Sequence, residues 1–197
     1  MKKQKKRFDL KKKYLESFSY LKESKNFIWA IVAVFFVFSL IGFFLPVPQT
    51  IELQILEMIK QLVEKTANMS ALGLIQFIFL NNLQSSFLGL FLGVLFGIFP
   101  LIVSLSNGYL LGFVASKSVG LEGILSLWKI FPHGIFELPA VFIALGMGMK
   151  LGTFIFQEKK ADSFKRFFSE SFQAFVLIVL PLLFIAAIIE GFLISYL

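Results

Sequence analysis

The sequence predicts an all-α integral membrane protein with about five transmembrane helices and additional amphipathic interfacial helices. Three observations predict this fold class: 57% of the 197 residues are hydrophobic, only 16% are charged, and the mean hydropathy is +0.83. Water-soluble domains carry about 45–50% apolar and about 25% charged residues. A soluble core of this size has too little interior for 27 phenylalanines, so the composition excludes a soluble enzyme and a disordered chain.

The lack of cysteine and the positions of the basic residues exclude further classes of site and partner. The chain has no cysteine, which excludes disulfides, zinc-thiolate sites, iron–sulfur clusters and cysteine nucleophiles. The net charge is +7, and ten of the 19 lysines and arginines precede residue 26. Apolar residues between these cations fall on one helix face. We therefore interpret residues 1–26 as a basic amphipathic cytoplasmic segment that contacts anionic lipid or orients the chain, and we expect no nucleic acid partner.

The remainder of the chain, residues 27–197, is predicted to be a single membrane domain. Phe27 to Leu45 is a stretch of 19 residues without a charge, which spans about 28 Å as a helix and matches the hydrocarbon thickness. It is too long for a signal peptide and is followed by prolines, so we interpret it as an uncleaved anchor. Apolar stretches of helical length place the five spans at about 27–45, 83–99, 101–116, 133–152 and 172–196.

Two segments outside these spans have their own patterns. Residues 51–69 alternate apolar and charged side chains at helical spacing, which predicts an amphipathic surface helix with a Lys60–Glu64 pair. Residues 71–116 form an apolar stretch too long for one crossing. We expect a tight turn at Pro100, with residues 71–82 as an approach segment that is interfacial or embedded. One long helix kinked at this proline is the alternative.

The distribution of basic residues predicts the orientation. With five spans and a cytoplasmic N-terminus, 15 of the 19 basic residues fall on the inner side and four on the outer side, as the positive-inside rule expects. We therefore expect a multi-pass protein of the cytoplasmic membrane, with a cytoplasmic N-terminus and an extracellular C-terminus.

Small residues recur every four positions in the three central spans. In a bilayer the burial of apolar side chains does not drive helices together, whereas stripes of small residues allow close backbone approach. We expect the three central helices to form one compact core; a stripe can face a neighbour in the chain or a second copy in a homo-oligomer. The candidate packing residues are Gly89, Gly93, Gly97, Gly108, Gly112, Gly148 and Gly152.

A few polar residues in the central helices form the candidate functional or structural site. Polar groups cost free energy in a membrane unless they find partners. His133 and Glu137 stand four residues apart, on one face of a helix that Pro132 can start. The candidate site comprises Asn81, Asn82, Asn107, His133 and Glu137.

These residues do not amount to a catalytic or metal centre. One histidine and one glutamate supply two metal ligands, whereas a catalytic zinc needs three from the protein. The nearby serines have no identified base. We therefore expect no catalytic residue, no metal and no cofactor. The site is then either a hydrogen-bond network that locks helix packing or a polar pathway or ligand site, with an intramembrane hydrolase as a third possibility.

In these motifs the sequence resembles the stage II sporulation protein M family of multi-pass membrane proteins, over residues 81–152. The motifs are Asn81-Asn82, Asn107-Gly108-Tyr109-Leu110-Leu111-Gly112 and Pro132-His133-Gly134-Ile135-Phe136-Glu137. The glycine-containing stretch from Gly146 to Gly152 follows the last of them. The resemblance implies a cytoplasmic-membrane protein that, in spore formers, forms a complex with peptidoglycan-degrading partners. From it we expect a non-enzymatic scaffold for a cell-envelope complex, in contact with the lipid bilayer and with other membrane or envelope proteins. The alternative is a small transporter or channel for an ion or lipid.

Overall fold

The computed structural model describes residues 9–45 and 47–196, with side chains except at 129–136, 195 and 196. This part of the chain contains helices and no strand, and five helical stretches are long and apolar enough to cross a membrane. The predicted fold class is therefore confirmed. The α-helices are α1 (Leu10–Phe44), α2 (Gln49–Thr66), α3 (Ala71–Phe91), α4 (Ile98–Glu122), α5 (Leu127–Gly152), α6 (Lys160–Ala174) and α7 (Leu180–Tyr196).

The first helix joins the basic segment to the first span without a break. Asp9 starts α1 by accepting a hydrogen bond from the Lys12 backbone N–H at 3.1 Å. The helix has 35 residues, about 52 Å at 1.5 Å per residue, so it is much longer than the hydrocarbon core of about 30 Å. Its first half carries a buried polar face of Ser17, Tyr20 and Ser24. This half therefore packs against other parts of the protein. Residues 1–8 of the predicted segment lie outside the described residues.

We expected the turn between the second and third spans to lie at Pro100, but it lies at residues 95–97. Phe96 and Gly97 have φ angles of 59° and 70°, in the left-handed region that glycine adopts at no steric cost. Pro100 lies in the first turn of α4, where a missing N–H leaves no helical hydrogen bond unmade. The proline therefore belongs to the start of the third span.

Two other predicted helix boundaries also differ from those in the structure. The approach segment 71–82 is continuous with the second span, which extends over Ala71–Val94 when a short 3₁₀ turn is included. α5 begins at Leu127, so Pro132 lies inside this helix instead of starting it. Proline is tolerated within membrane helices because neighbouring groups satisfy the freed carbonyl.

The last span continues α6 directly. A π-helical stretch, Phe175–Val179, joins α6 to α7 just before Pro181, and the whole segment Lys160–Ile194 qualifies as one candidate span. Prolines and π-helical turns are both recognised sites of bending in long helices. The polar half of this helix lies beside the first half of α1.

The glycine stripes of the central spans face two different neighbours. α3 packs against α5, whereas α4 packs mainly against α1. A Cβ added to Gly108 or Gly112 would overlap the α1 carbonyl of Phe35 or Ser39. The expectation of one core formed by the three central helices therefore needs correction, because α4 turns its glycines toward the first span.

Candidate functional site: a polar cleft between two membrane helices

α3 and α4 separate from their common turn at residues 95–97, and a cleft lies between them. Beyond the turn the two helices barely touch, although each packs against α5. The cleft is partly open and has a volume of about 400 Å³, with α1 and α5 completing its walls. This volume falls in the range of roughly 300–1,000 Å³ that is typical of small-molecule sites.

The structure brings four of the five predicted site residues to this cleft. Asn81 and Asn82 come from α3, Asn107 from α4 and Glu137 from α5. Asn82 is buried, and its side-chain oxygen accepts a hydrogen bond from the Asn81 amide at 3.3 Å. Three consecutive helices thus contribute polar groups to one lining.

The fifth predicted residue, His133, has a backbone in α5 one turn before Glu137. Its side chain lies outside the described residues. The pairing of His133 with Glu137 therefore stays a prediction.

Two serines also line the cleft, although the sequence suggested them only as nucleophiles without a base. Ser104 is fully buried and donates a hydrogen bond to the Ile31 carbonyl oxygen of α1 at 2.9 Å. Ser85 follows Asn81 by four residues and Ser104 precedes Asn107 by three. Since residues three or four apart share a helix face, this spacing was a signal that could have added both serines to the site.

The rest of the lining is apolar. Phe35 of α1 and Phe142 of α5 meet edge to face, with ring centroids 5.1 Å apart. Leu145, which is almost fully buried, lines the cleft and also covers Gly89 of α3. The cleft therefore combines a polar region with hydrocarbon walls.

The cleft ends where the backbones of α3 and α5 come together. Gly93 meets the backbone of Gly148, and Gly152 meets the backbone of Gly97, so closely that a Cβ at any of them would overlap a backbone atom. Fully buried Leu90 lies at the same contact. No open path therefore continues from the cleft through this contact.

All seven glycines predicted to pack helices lie at close contacts within the chain. Three further glycines, which the sequence stripes did not include as packing positions, do the same: Gly42 against Tyr109, Gly146 against Ile28 and Gly191 against Ile75. Each lies opposite a helix other than the neighbour suggested by sequence order. Only the folded arrangement of the helices identifies them.

Among the side chains that the structure describes, which do not include that of His133, no three histidine or acidic residues lie close enough to hold a metal ion. Glu137 is the one acidic residue in the described lining of the cleft. Hydrogen bonding and charge attraction are therefore the chemistry that this lining offers.

A charged cluster lies at the other end of α5, near Gly152. The Lys150 ammonium is 3.2 Å from a carboxylate oxygen of Glu23, and Arg166 contacts the same oxygen at 2.6 Å. The Tyr20 hydroxyl lies 2.9 Å from the Ser171 hydroxyl. These contacts join the first half of α1 to α5 and α6, and no sequence motif indicated them.

The comparisons with known proteins extend the resemblance seen in the sequence. The family model described as Stage II sporulation protein M matches residues 31–194, which include every cleft residue named above. No curated protein matches the chain, and no solved structure matches it. The family match covers most of the chain, including all five candidate spans in whole or in part. This multi-pass membrane protein therefore belongs to the Stage II sporulation protein M family.

Proposed function

We propose that this chain is a non-enzymatic membrane scaffold of a cell-envelope complex, and that a partner protein docks on α2. The observation that carries the proposal is that none of the 18 residues of α2 is buried, although the helix is amphipathic. Ile55 and Ile59, at the centre of the apolar face, are half-buried. Met58 and Leu62, beside them, are 50% and 51% exposed. One flank of the apolar face is thus available to a partner.

The attachment of α2 to the bundle supports this role. Glu52 forms an ion pair with Lys117 of α4, and the Lys65 ammonium lies 5.0 Å from the centre of the Phe77 ring of α3. The predicted pair of Lys60 and Glu64 is confirmed, at 3.9 Å. One side-chain contact near each end connects α2 to the bundle while its flank stays exposed, which supports a docking surface.

We further propose that this surface is extracellular and that the N-terminus is cytoplasmic in the cell membrane. The basic first half of α1 contacts basic α6, so these segments share one end of the bundle. Glu52 and Lys117 lie at the opposite end of α4 from its turn with α3. This grouping agrees with the 15 to four division of basic residues, which supports the proposed orientation.

Site-specific photo-crosslinking in native membranes tests the docking surface. A photoreactive residue at Leu62 should give discrete adducts with another protein, and Leu62→Asp should abolish copurification of that protein. Gln54, which is exposed on the polar side of α2, is the matched control position. Ile55 and Ile59 are less suitable test positions because they are only partly exposed. Equal adducts from Leu62 and Gln54, or adducts with lipid alone, would contradict the proposal.

Transport of an ion or lipid through the cleft is a second candidate function, favoured by the polar lining from three helices. A passage would require α3 and α5 to separate at Gly93 and Gly148, where their backbones touch. Reconstituted vesicles should then show flux that Asn107→Leu reduces. The absence of flux across a broad panel of ions and lipids would exclude this candidate.

A further inference from the structure

We infer that a second copy of this chain docks on the exposed side of α3, and that the Gln84 amides of the two copies hydrogen-bond to each other. The inference goes beyond the scaffold role, since it concerns a different surface from α2 and a different partner. It rests on three features of this surface: an amide without a partner, the spacing of the exposed side chains around it, and a groove beside them.

The Gln84 amide has no hydrogen-bonding partner within the described part of the chain. It is exposed near the middle of the second span, Ala71–Val94. Asn82 is buried and accepts a hydrogen bond from Asn81, whereas Gln84 makes no hydrogen bond with any other described residue. An unbonded amide is costly in hydrocarbon, where no water is present to bond it. A polar group from another molecule would remove this cost.

The exposed side chains around Gln84 have the spacing of a contact between two helices. Leu80, Gln84 and Phe87 stand four and three residues apart, and Leu80 and Phe87 are 51% and 41% exposed. Alternating steps of four and three residues place side chains along one stripe, by which two helices pack side by side. A single polar residue in such a stripe specifies the register and the number of helices. Gln84 occupies that position here.

A groove beside this stripe provides room for a second helix. It has a volume of about 550 Å³ and lies between α3 and the last span, near its π-helical stretch. Its lining includes Leu80, Gln84 and Phe87 of α3, and Phe172 and Val176 of the last span. Gln84 is the one polar residue among the described residues that line it. The groove is therefore suited to an apolar partner that brings one hydrogen-bonding group.

The hydrogen-bonding chemistry selects a second copy over a lipid acyl chain. An acyl chain would fill the apolar part of the groove, but it has neither a donor nor an acceptor for the amide. A glutamine side chain has both, because its carbonyl oxygen accepts and its NH₂ group donates. Two copies in one membrane have the same orientation, so a twofold axis along the membrane normal brings both Gln84 residues to the same depth. Each amide can then donate to the other.

Cysteine crosslinking in native membranes tests which partner meets this surface. The chain has no native cysteine, so a single introduced cysteine reports on one position. Leu80→Cys should give disulfide-linked dimers of the chain on mild oxidation, because the two Leu80 positions lie next to the twofold axis. Val37→Cys is the matched control, since Val37 is 53% exposed within the first span. A dimer yield from Leu80→Cys no higher than that from Val37→Cys, or adducts with a different protein instead of dimers, would overturn the inference.

Substitution of Gln84 tests the pair of amides. Single-molecule photobleaching of the labelled chain, diluted stepwise into lipid bilayers, measures the monomer–dimer equilibrium. Gln84→Leu should weaken dimerisation about tenfold, since two hydrogen bonds between membrane helices contribute about that factor, whereas Gln84→Asn should retain part of it. Gln76→Leu is the matched control, because Gln76 is also exposed on α3 but lies near the start of the span, where headgroups and water supply partners. Equal dimerisation of Gln84→Leu and the unchanged chain, or a monomer at every dilution, would overturn the inference.

Folding and the scaffold role can be separated from this result. Gln84 is exposed, so Gln84→Leu should leave the thermal melting of the chain unchanged. If this variant does not fold, the crosslink from Leu80→Cys, which keeps Gln84, still decides the outcome. Leu62→Asp on α2 should leave dimerisation unchanged, and Gln84→Leu should leave copurification of the α2 partner unchanged. The two proposals therefore stand or fail separately.

Discussion

The Lys150 ammonium lies 4.0 Å from the centre of the Tyr20 ring. The Lys150 side chain is only 7% exposed, and the Tyr20 residue is 1% exposed. A desolvated cation over an aromatic ring is worth about 2 kcal/mol, more than the same contact in water. This contact connects the part of α1 before the first span to the end of α5.

Replacing Tyr20 should measure how much this connection stabilises the bundle. Tyr20→Phe keeps the ring beneath Lys150 but loses the hydroxyl contact with Ser171, so we expect a loss of about 1 kcal/mol. Tyr20→Leu also removes the ring and should cost about 2–4 kcal/mol. The measurement is equilibrium unfolding in detergent micelles.

Tyr14 is the control for these substitutions because it is 36% exposed in the same helix. Tyr14→Leu should change stability by less than about 0.5 kcal/mol. Equal effects of Tyr14→Leu and Tyr20→Leu would mean that the first half of α1 does not pack against α5 and α6 as described.

Adding one methyl group should separate a packing glycine from an exposed one. At Gly148 a Cβ would lie 2.6 Å from the Gly89 carbonyl oxygen, so Gly148→Ala forces α3 and α5 apart and should cost about 1–3 kcal/mol. At Gly120, also in a helix, a Cβ would meet nothing within 4 Å. Gly120→Ala should therefore be neutral or stabilising, by up to about 1 kcal/mol. Thermal melting of both variants tests the contact, and equal shifts would refute it.

A charge exchange should test the attachment of α2 to α4. Lys117 and Glu52 are partly exposed, so each single reversal should change global stability by less than about 1 kcal/mol. Lys117→Glu should nevertheless release the start of α2, and the double reversal with Glu52→Lys should restore it. The distance between spin labels on α2 and α4 provides the measurement. A double variant as mobile as the single variants would show that this pair does not hold the helix.

The absence of native cysteine makes the proposed orientation directly measurable. Lys60→Cys on α2 should react with a membrane-impermeant maleimide in intact cells. Lys160→Cys at the start of α6 should react only after permeabilisation. Both positions are exposed, so accessibility within the protein does not explain a difference. The reverse pattern would place the N-terminus outside.

The helix boundaries that the sequence predicted at two prolines differ from the structure for local reasons. The sequence suggested a turn at Pro100, yet the chain turns at residues 95–97 because Gly97 can take a positive φ and a proline fits the first turn of the next helix. Similarly, Pro132 lies within α5. A proline removes one backbone N–H donor. The helix can continue past it where neighbouring groups satisfy the carbonyl that has lost its hydrogen bond.

The candidate site depended on both levels of information. The sequence identifies Asn81, Asn82, Asn107 and Glu137 as candidates because polar side chains are costly in a membrane and therefore stand out within apolar spans. That α3 and α4 separate, so that these residues line one cleft, follows from packing that no single motif encodes. The serines at 85 and 104 join the lining for the same reason.

By itself the sequence determined the membrane class, the five spans and the candidate polar residues, since hydrophobic length and local spacing decide these within one helix. Only the tertiary structure decided which helices meet. Gly108 faces α1 instead of α3, and Tyr20 meets Lys150 across 130 residues of chain. In lipid every apolar face is equally soluble, so hydropathy does not distinguish one partner helix from another. Close backbone fit and buried polar contacts make that choice, and both depend on the assembled bundle.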